Sequence, residues 1–348
     1  MYTLYAFAVQ GIFFLIPHIA RAHEVYVLEG DTIAKDMAEP PLQVFSIIFS
    51  NEKQFFFWFF FALLAVSFVA IVSMSKRLEK FCDPFLLKIR RYAPAIGRIT
   101  LGLSTIASAY FGALFGPELP MSLFIPAHFI MPFQILLAGV GICLVLGLFT
   151  RVSALFMMVL YGGMITHFSY YMLTYLNYFG EMVIAFTAGS KVFAIDAYFT
   201  ERVPRMFQPL VDFVVDKGFL ILRIAFGISL LFSAIYAKLL HAQLAIDTVV
   251  QYHLTDYFHF TPPFIVLGAL AVEVLLGLLF IIGFEIRFAA IFLSIFLTLS
   301  LFYFGESVWP HIILMGGALT IFASGYGKYT IERNYLIRHH RDQEEPVL

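Results

Sequence analysis

Charge is scarce in this chain. Only 13% of its 348 residues are Asp, Glu, Lys or Arg, against about 25% in an ordinary soluble domain. The formal net charge is −1, so there is no basic surface to hold nucleic acid. Cysteine is nearly absent. Cys82 lies in a polar segment and Cys143 in an apolar run, with no Cys-x-x-Cys, which argues against a structural disulfide and a dithiol relay. No phosphate-binding glycine loop, dinucleotide fingerprint or H-E-x-x-H zinc motif occurs. What is abundant is apolar: 61% hydrophobic residues, including 42 Phe and 18 Tyr, too many for a soluble core of this size. The expected fold class is all-α, a polytopic membrane protein.

Residues 3–17 form an apolar run followed by Ala20-Arg21-Ala22, an A-x-A cleavage pattern. It reads as a signal peptide over 1–22, with an uncleaved, kinked anchor helix as the alternative. Residues 23–53 are polar and acidic, an extramembrane segment. The next apolar runs are 54–74, 96–115, 131–148, 152–173, 178–197, 218–239, 262–284, 286–303 and 308–324. Each approaches the ~20 residues that cross a hydrocarbon core as helix. Unbroken runs of this kind exclude a β-barrel, whose strands alternate over about ten residues.

Lys and Arg set the orientation. They gather at 76–91, at 191–217 and in the tail 326–348, whereas the intervening loops 116–130 and 240–261 hold none. The positive-inside rule then places the mature N-terminus outside and the C-terminus in the cytoplasm, in an inner or plasma membrane.

The apolar body contains an internal repeat, 95–197 and 218–325. A shift of 125 residues pairs Arg98 with Arg223, Gly102 with Gly227, Ser104 with Ser229 and Ser108 with Ser233. The same shift pairs Tyr178-Phe179-Gly180-Glu181 with Tyr303-Phe304-Gly305-Glu306. A shift of 136 pairs Gly141, Gly147 and Arg151 with Gly277, Gly283 and Arg287. The expectation is two parallel four-helix units side by side, preceded by one helix, with small residues letting helices approach closely.

Arg-x-x-x-Gly at a helix start (Arg98, Gly102; Arg223, Gly227) is followed in the second unit by Lys238, then Glu273, then Gly283-Phe-x-x-Arg287. This pattern resembles the DoxX/DoxD-like membrane proteins, over most of the chain. The resemblance implies four-helix units and a membrane subunit of a quinone-linked redox system, such as a thiosulfate:quinone oxidoreductase, not catalytic alone. It implies the lipid bilayer and a redox protein as partners and leaves homo-oligomerisation open. The first unit departs from the pattern, with Leu137 opposite Glu273 and Ala113 opposite Lys238.

Ionisable residues within a membrane mark functional positions by default. Lys238 and Glu273 form either a structural ion pair or a polar anchor for a quinone headgroup or substrate. Arg98 and Arg223 are expected to snorkel to the nearby interface. Glu181 and Glu306 are placed at the outer start of each unit's last helix. Of ten histidines, seven map to the outer side: His23, His128, His167, His241, His253, His259 and His311. They read either as interfacial imidazoles or as part of a transition-metal site, for which His167, His311, Glu181 and Glu306 are the candidate ligands. Three functions therefore stand open: the redox subunit, a transporter or metal-handling protein, and an assembly scaffold.

Overall fold

The computed structural model describes residues 35–49, 54–188, 192–198, 217–304, 309–327 and 329–331. The expected cleavage site, His23, Glu306 and most of the tail lie outside the described residues. Within them the regular structure is helical, apart from one isolated bridge between Ala113 and Pro120.

A short helix α1 (Val44–Phe49) leads into α2 (Gln54–Arg90). The first unit holds α3 (Ala93–Phe111), α4 (Ala127–Leu146), α5 (Thr150–Phe168) and α6 (Leu176–Ala188), with a 3-10 turn at Ser169–Tyr175. The second unit holds α7 (Gly218–Ile235), a π-helical turn at Tyr236–Leu240, and two short helices, α8 (Ala242–Gln251) and α9 (Leu254–Phe258). It closes with α10 (Pro262–Ile282), α11 (Ile286–Phe304) and α12 (Pro310–Ser324). Six stretches are long and apolar enough to cross a membrane among the described residues, α5 through α6 counting as one from Thr150 to Thr187. The chain is an all-α polytopic membrane protein.

Local chemistry sets these bounds. Proline opens α3, α10 and α12, where a missing N–H costs nothing. Helix α2 differs from expectation: it continues to Arg90 instead of ending near residue 74. Its polar half is rich in Lys, Arg, Glu and Leu, strong helix formers, which carry it through Pro84 to a length of about 55 Å. Helix α6 stops at Ala188, short of the expected 197, because the following segment has another task described below.

The units interlock instead of lying side by side. Helix α3 packs on α4 of its own unit and on α12 of the other; α7 packs on α10 and on α6. Helices α3, α6, α7 and α12 thus form a central bundle. Gly102 meets the Gly141 carbonyl where α3 crosses α4, and Gly227 meets the Gly277 carbonyl where α7 crosses α10. A Cβ at Gly102 or Gly227 would lie 2.7 or 2.6 Å from those oxygens, so the crossings require glycine.

Arg98 and Arg223 are buried, not snorkelled. Arg98 Nη2 donates to the Phe193 carbonyl at 2.7 Å, and Arg223 Nη2 to the Tyr329 carbonyl at 3.1 Å. Each guanidinium fills the space where a Cβ on Gly147 or Gly283 would stand, and both glycines have positive φ, +66° and +72°. Arg151 Nε reaches the Phe186 carbonyl at 3.2 Å, and Arg287 Nε reaches that of Phe322 at 3.4 Å. The segment after α6 crosses beneath Arg98. Its Asp196 carboxylate there accepts the N–H groups of Phe149 and Thr150 at 2.9 and 3.0 Å, capping α5. These residues define an arginine face. The six described histidines lie at the opposite ends of the helices, a histidine face.

The helix bounds also correct the alignment of the units. The first helices stand 125 residues apart, but α4, α5 and α6 all match α10, α11 and α12 at 136. The 11-residue difference sits wholly in α8 and α9. The shared Tyr-Phe-Gly-Glu is therefore not equivalent: Tyr178 to Glu181 lie within α6, whereas Tyr303 and Phe304 end α11. Position 317, a glycine, is the structural counterpart of Glu181.

Candidate functional site

On the histidine face the second unit opens a polar site. Lys238 stands in the π-helical turn ending α7, and Glu273 midway along α10. Their expected depths differ, yet Lys238 Nζ lies 3.0 Å from Glu273 Oε2. The Lys stem reaches inward along the helix, and the wider π turn carries it over α10. Both side chains keep some exposure, 15% and 17%. Leu239, Leu270 and Val274, neighbours along the two helices, belong to an apolar cluster with Phe57, Phe264 and Leu267. The pair is thus charged in apolar surroundings, with α2 closing one side.

A cap lies over this unit. Leu42 donates its N–H to the Leu239 carbonyl at 2.8 Å and packs into the clusters formed by α8 and α10. The buried Asp36 faces Asp247 of α8, whose Oδ1 accepts Gln243 Nε2 at 2.6 Å. Burial, reinforced by the Asp247 carboxylate, pushes the Asp36 carboxyl up to about 6. Burial lowers the His241 imidazole, opposed by its hydrogen bond to the Met37 backbone. The Tyr236 ring stands 4.6 Å from His241 and 5.6 Å from Tyr171, linking the cap to the first unit.

The first unit is closed at the same level. Residues 113–121 dip into its core instead of forming an open loop, with Leu114, Phe115, Leu119 and Met121 almost fully buried. They carry Glu118 inward, where Oε1 accepts the hydroxyls of Tyr171, at 3.1 Å, and Tyr175. Tyr178 Oη donates to the Phe115 carbonyl at 2.8 Å and pairs with Ser104 Oγ at 2.7 Å. Sequence reasoning missed Glu118. The signal was an apolar stretch, Ala113–Phe115 and Leu119, in what reads as a polar-side loop punctuated by Gly112 and Gly116-Pro117.

Among the described residues the metal candidates His167, His311 and Glu181 form no metal-holding group, and Glu306 lies outside them. His167 is exposed at the end of α5, His311 is buried at the start of α12, and Glu181 lies inside α6, not at its outer start. Among the described residues, no three His, Cys, Asp or Glu side chains form a group that could hold a metal ion. Glu181 is met instead by a Thr100 hydroxyl, with Gly97 and Gly317 close to its carboxyl oxygens.

The family model DoxX matches residues 218–306, which contain the Lys238–Glu273 pair and the helices from α7 to α11. No curated protein and no solved structure matches the chain. With nine helices of 13 residues or more among the described residues, the chain is a polytopic membrane protein whose segment 218–306 is similar to the DoxX family.

Proposed function

We propose that the protein is an accessory membrane subunit of a quinone-linked redox system, and that Lys238 and Glu273 anchor the quinone headgroup or substrate. The observation that carries this reading is the 3.0 Å ion pair inside the matched segment, flanked by apolar residues and still partly open. A quinone needs both features: donors for its carbonyl oxygens and an apolar wall for its ring and tail. The Lys ammonium offers three donors and Glu273 holds it in place. The redox link itself comes from the family resemblance, and fold alone does not decide function.

The membrane is a cell's inner or plasma membrane, with the arginine face cytoplasmic and the histidine face outside. The Lys and Arg bias supports this. We read the two units as a duplication, supported by the paired arginine–glycine contacts and the paired glycine crossings. The redox partner docks from outside the chain, since no nucleotide or cluster motif is present in the sequence.

The test is quinone content. Protein purified in mild detergent is extracted and its quinone measured, beside Lys238→Ala and Glu273→Ala. Quinone retained by the parent and lost from both variants supports the reading. Equal quinone in all three, at the level of the surrounding lipid, overturns it.

A further inference from the structure

Glu181 has no part in that site. It is fully buried on α6, in the middle of the central bundle. Helices α3 and α12 meet on its carboxyl, and α7 packs behind Gly317. Thr100 of α3 donates to Oε2 at 3.1 Å. A Cβ at Gly317 of α12 would lie 3.0 Å from Oε1, and one at Gly97 of α3 3.8 Å from Oε2. Phe226 of α7 packs against Gly317. Among the described residues Oε1 has no hydrogen-bond partner, and no cation pairs with the group. The counterpart in the second unit is Gly317 itself, so the bundle holds this carboxyl once.

A fully buried carboxylate without a counter-ion is a costly charge that a bound proton removes. Thr100 is built to serve both states. Its hydroxyl also lies 2.9 Å from the Ile96 carbonyl and 3.1 Å from that of Gly97. With the carboxylate ionised, the Thr100 hydrogen points to Oε2. With a proton on Oε2, Glu181 donates to Thr100 Oγ1, and the Thr100 hydrogen turns to the Ile96 or Gly97 carbonyl. One proton arrives, one O–H bond forms on the carboxyl, and its charge goes from −1 to 0 with no helix displaced. One turn nearer the histidine face stand Ser104 on α3 and Tyr178 on α6, paired at 2.7 Å, and beyond them Glu118 with Tyr171 and Tyr175.

We propose that Glu181 is an exchangeable proton-binding site at the centre of the membrane bundle, served from the histidine face by the Ser104–Tyr178 hydroxyl pair. It does not depend on a quinone being bound. It places an exchangeable proton where helices of both units meet.

The experiment is infrared difference spectroscopy of the full chain in liposomes, stepped from high to low pH in H2O and in D2O. The expected result is a protonated-carboxyl C=O band that grows as pH falls, shifts down in D2O and is missing from Glu181→Gln. Thr100→Val keeps the band but moves its frequency, which preserves the test if Glu181→Gln does not fold. Tyr178→Phe slows its deuterium exchange about tenfold, the size of one lost hydrogen bond. The proposal is overturned by spectra identical in parent and Glu181→Gln, by a band that does not change with pH, or by a band that Na⁺ removes at constant pH. Exchange unaltered in Tyr178→Phe overturns the route from the histidine face.

Discussion

The two units agree at the arginine face and part at the histidine face. At the first, Arg98 and Arg223 each fill the space beside a positive-φ glycine and hold the backbone that leaves the unit's last helix. At the second, one unit buries a carboxylate among tyrosines under a folded-in loop, while the other presents a lysine–glutamate pair under two extra helices. A contact present twice serves the packing that both units need. A contact present once is free to serve something else. Where the units differ is therefore where function is to be sought, and both carboxyl sites of the first unit, Glu118 and Glu181, are on that side of the comparison.

Several substitutions break or sharpen this contrast. The largest effect is expected at the shared feature. Gly147→Val and Gly283→Val each push a side chain into a buried guanidinium at a left-handed φ, and each should lose about 3 kcal/mol or more of stability. Thermal unfolding in detergent checks this, and a large loss in only one of the two would end the equivalence of the arginine contacts. Next comes Glu118→Ala, which removes the acceptor for two buried tyrosine hydroxyls and should cost about 2–3 kcal/mol. Tyr175→Phe should cost less, since Tyr171 still donates to the carboxylate.

A smaller effect is expected at the open pair. A double-mutant cycle of Lys238→Ala and Glu273→Ala should give a coupling of about 1 kcal/mol, because the pair keeps partial exposure. A coupling near zero would show that the two residues are held by other contacts. Smallest is a pH effect on the cap. The Asp36 carboxyl lies above its unfolded value, so the docked cap binds a proton more tightly than the free segment. Docking is fully favoured below the unfolded value near 3.9 and weakens as pH rises through about 6. The protection of amides 35–49 relative to free-chain exchange at the same pH should fall between pH 5 and pH 8, and Asp36→Asn should abolish that fall.

Much of this fold was legible in the sequence. The apolar runs marked the helices, and the Arg-x-x-x-Gly and Gly-Phe-x-x-Arg patterns marked the crossings, because an interior of fixed width demands long apolar helices and close packing demands glycine. The site was legible in part. Lys238 and Glu273 were found by their charge, while their pairing depended on a π turn that no pattern announced. Glu118 escaped because a loop folded inward has the composition of a core. Glu181 was placed at the wrong depth because the same four letters, Tyr-Phe-Gly-Glu, occur in both units. The identity was real, but in one unit it lies within the fourth helix, whereas in the other its first two residues, Tyr303 and Phe304, end the third.

By itself the sequence determined the class of protein, the order of its long apolar helices among the described residues and the two faces on which arginine and histidine gather. These follow from solvent: hydrocarbon selects apolar residues, and the interface selects charged and aromatic ones, one residue at a time. Only the tertiary structure decided that the units interlock, that the arginines are interior, that an inward loop carries Glu118, and that Glu181 stands alone where four helices meet. Those are properties of pairs of residues far apart in the chain, and burial of a charge becomes costly or useful only once its neighbours are known.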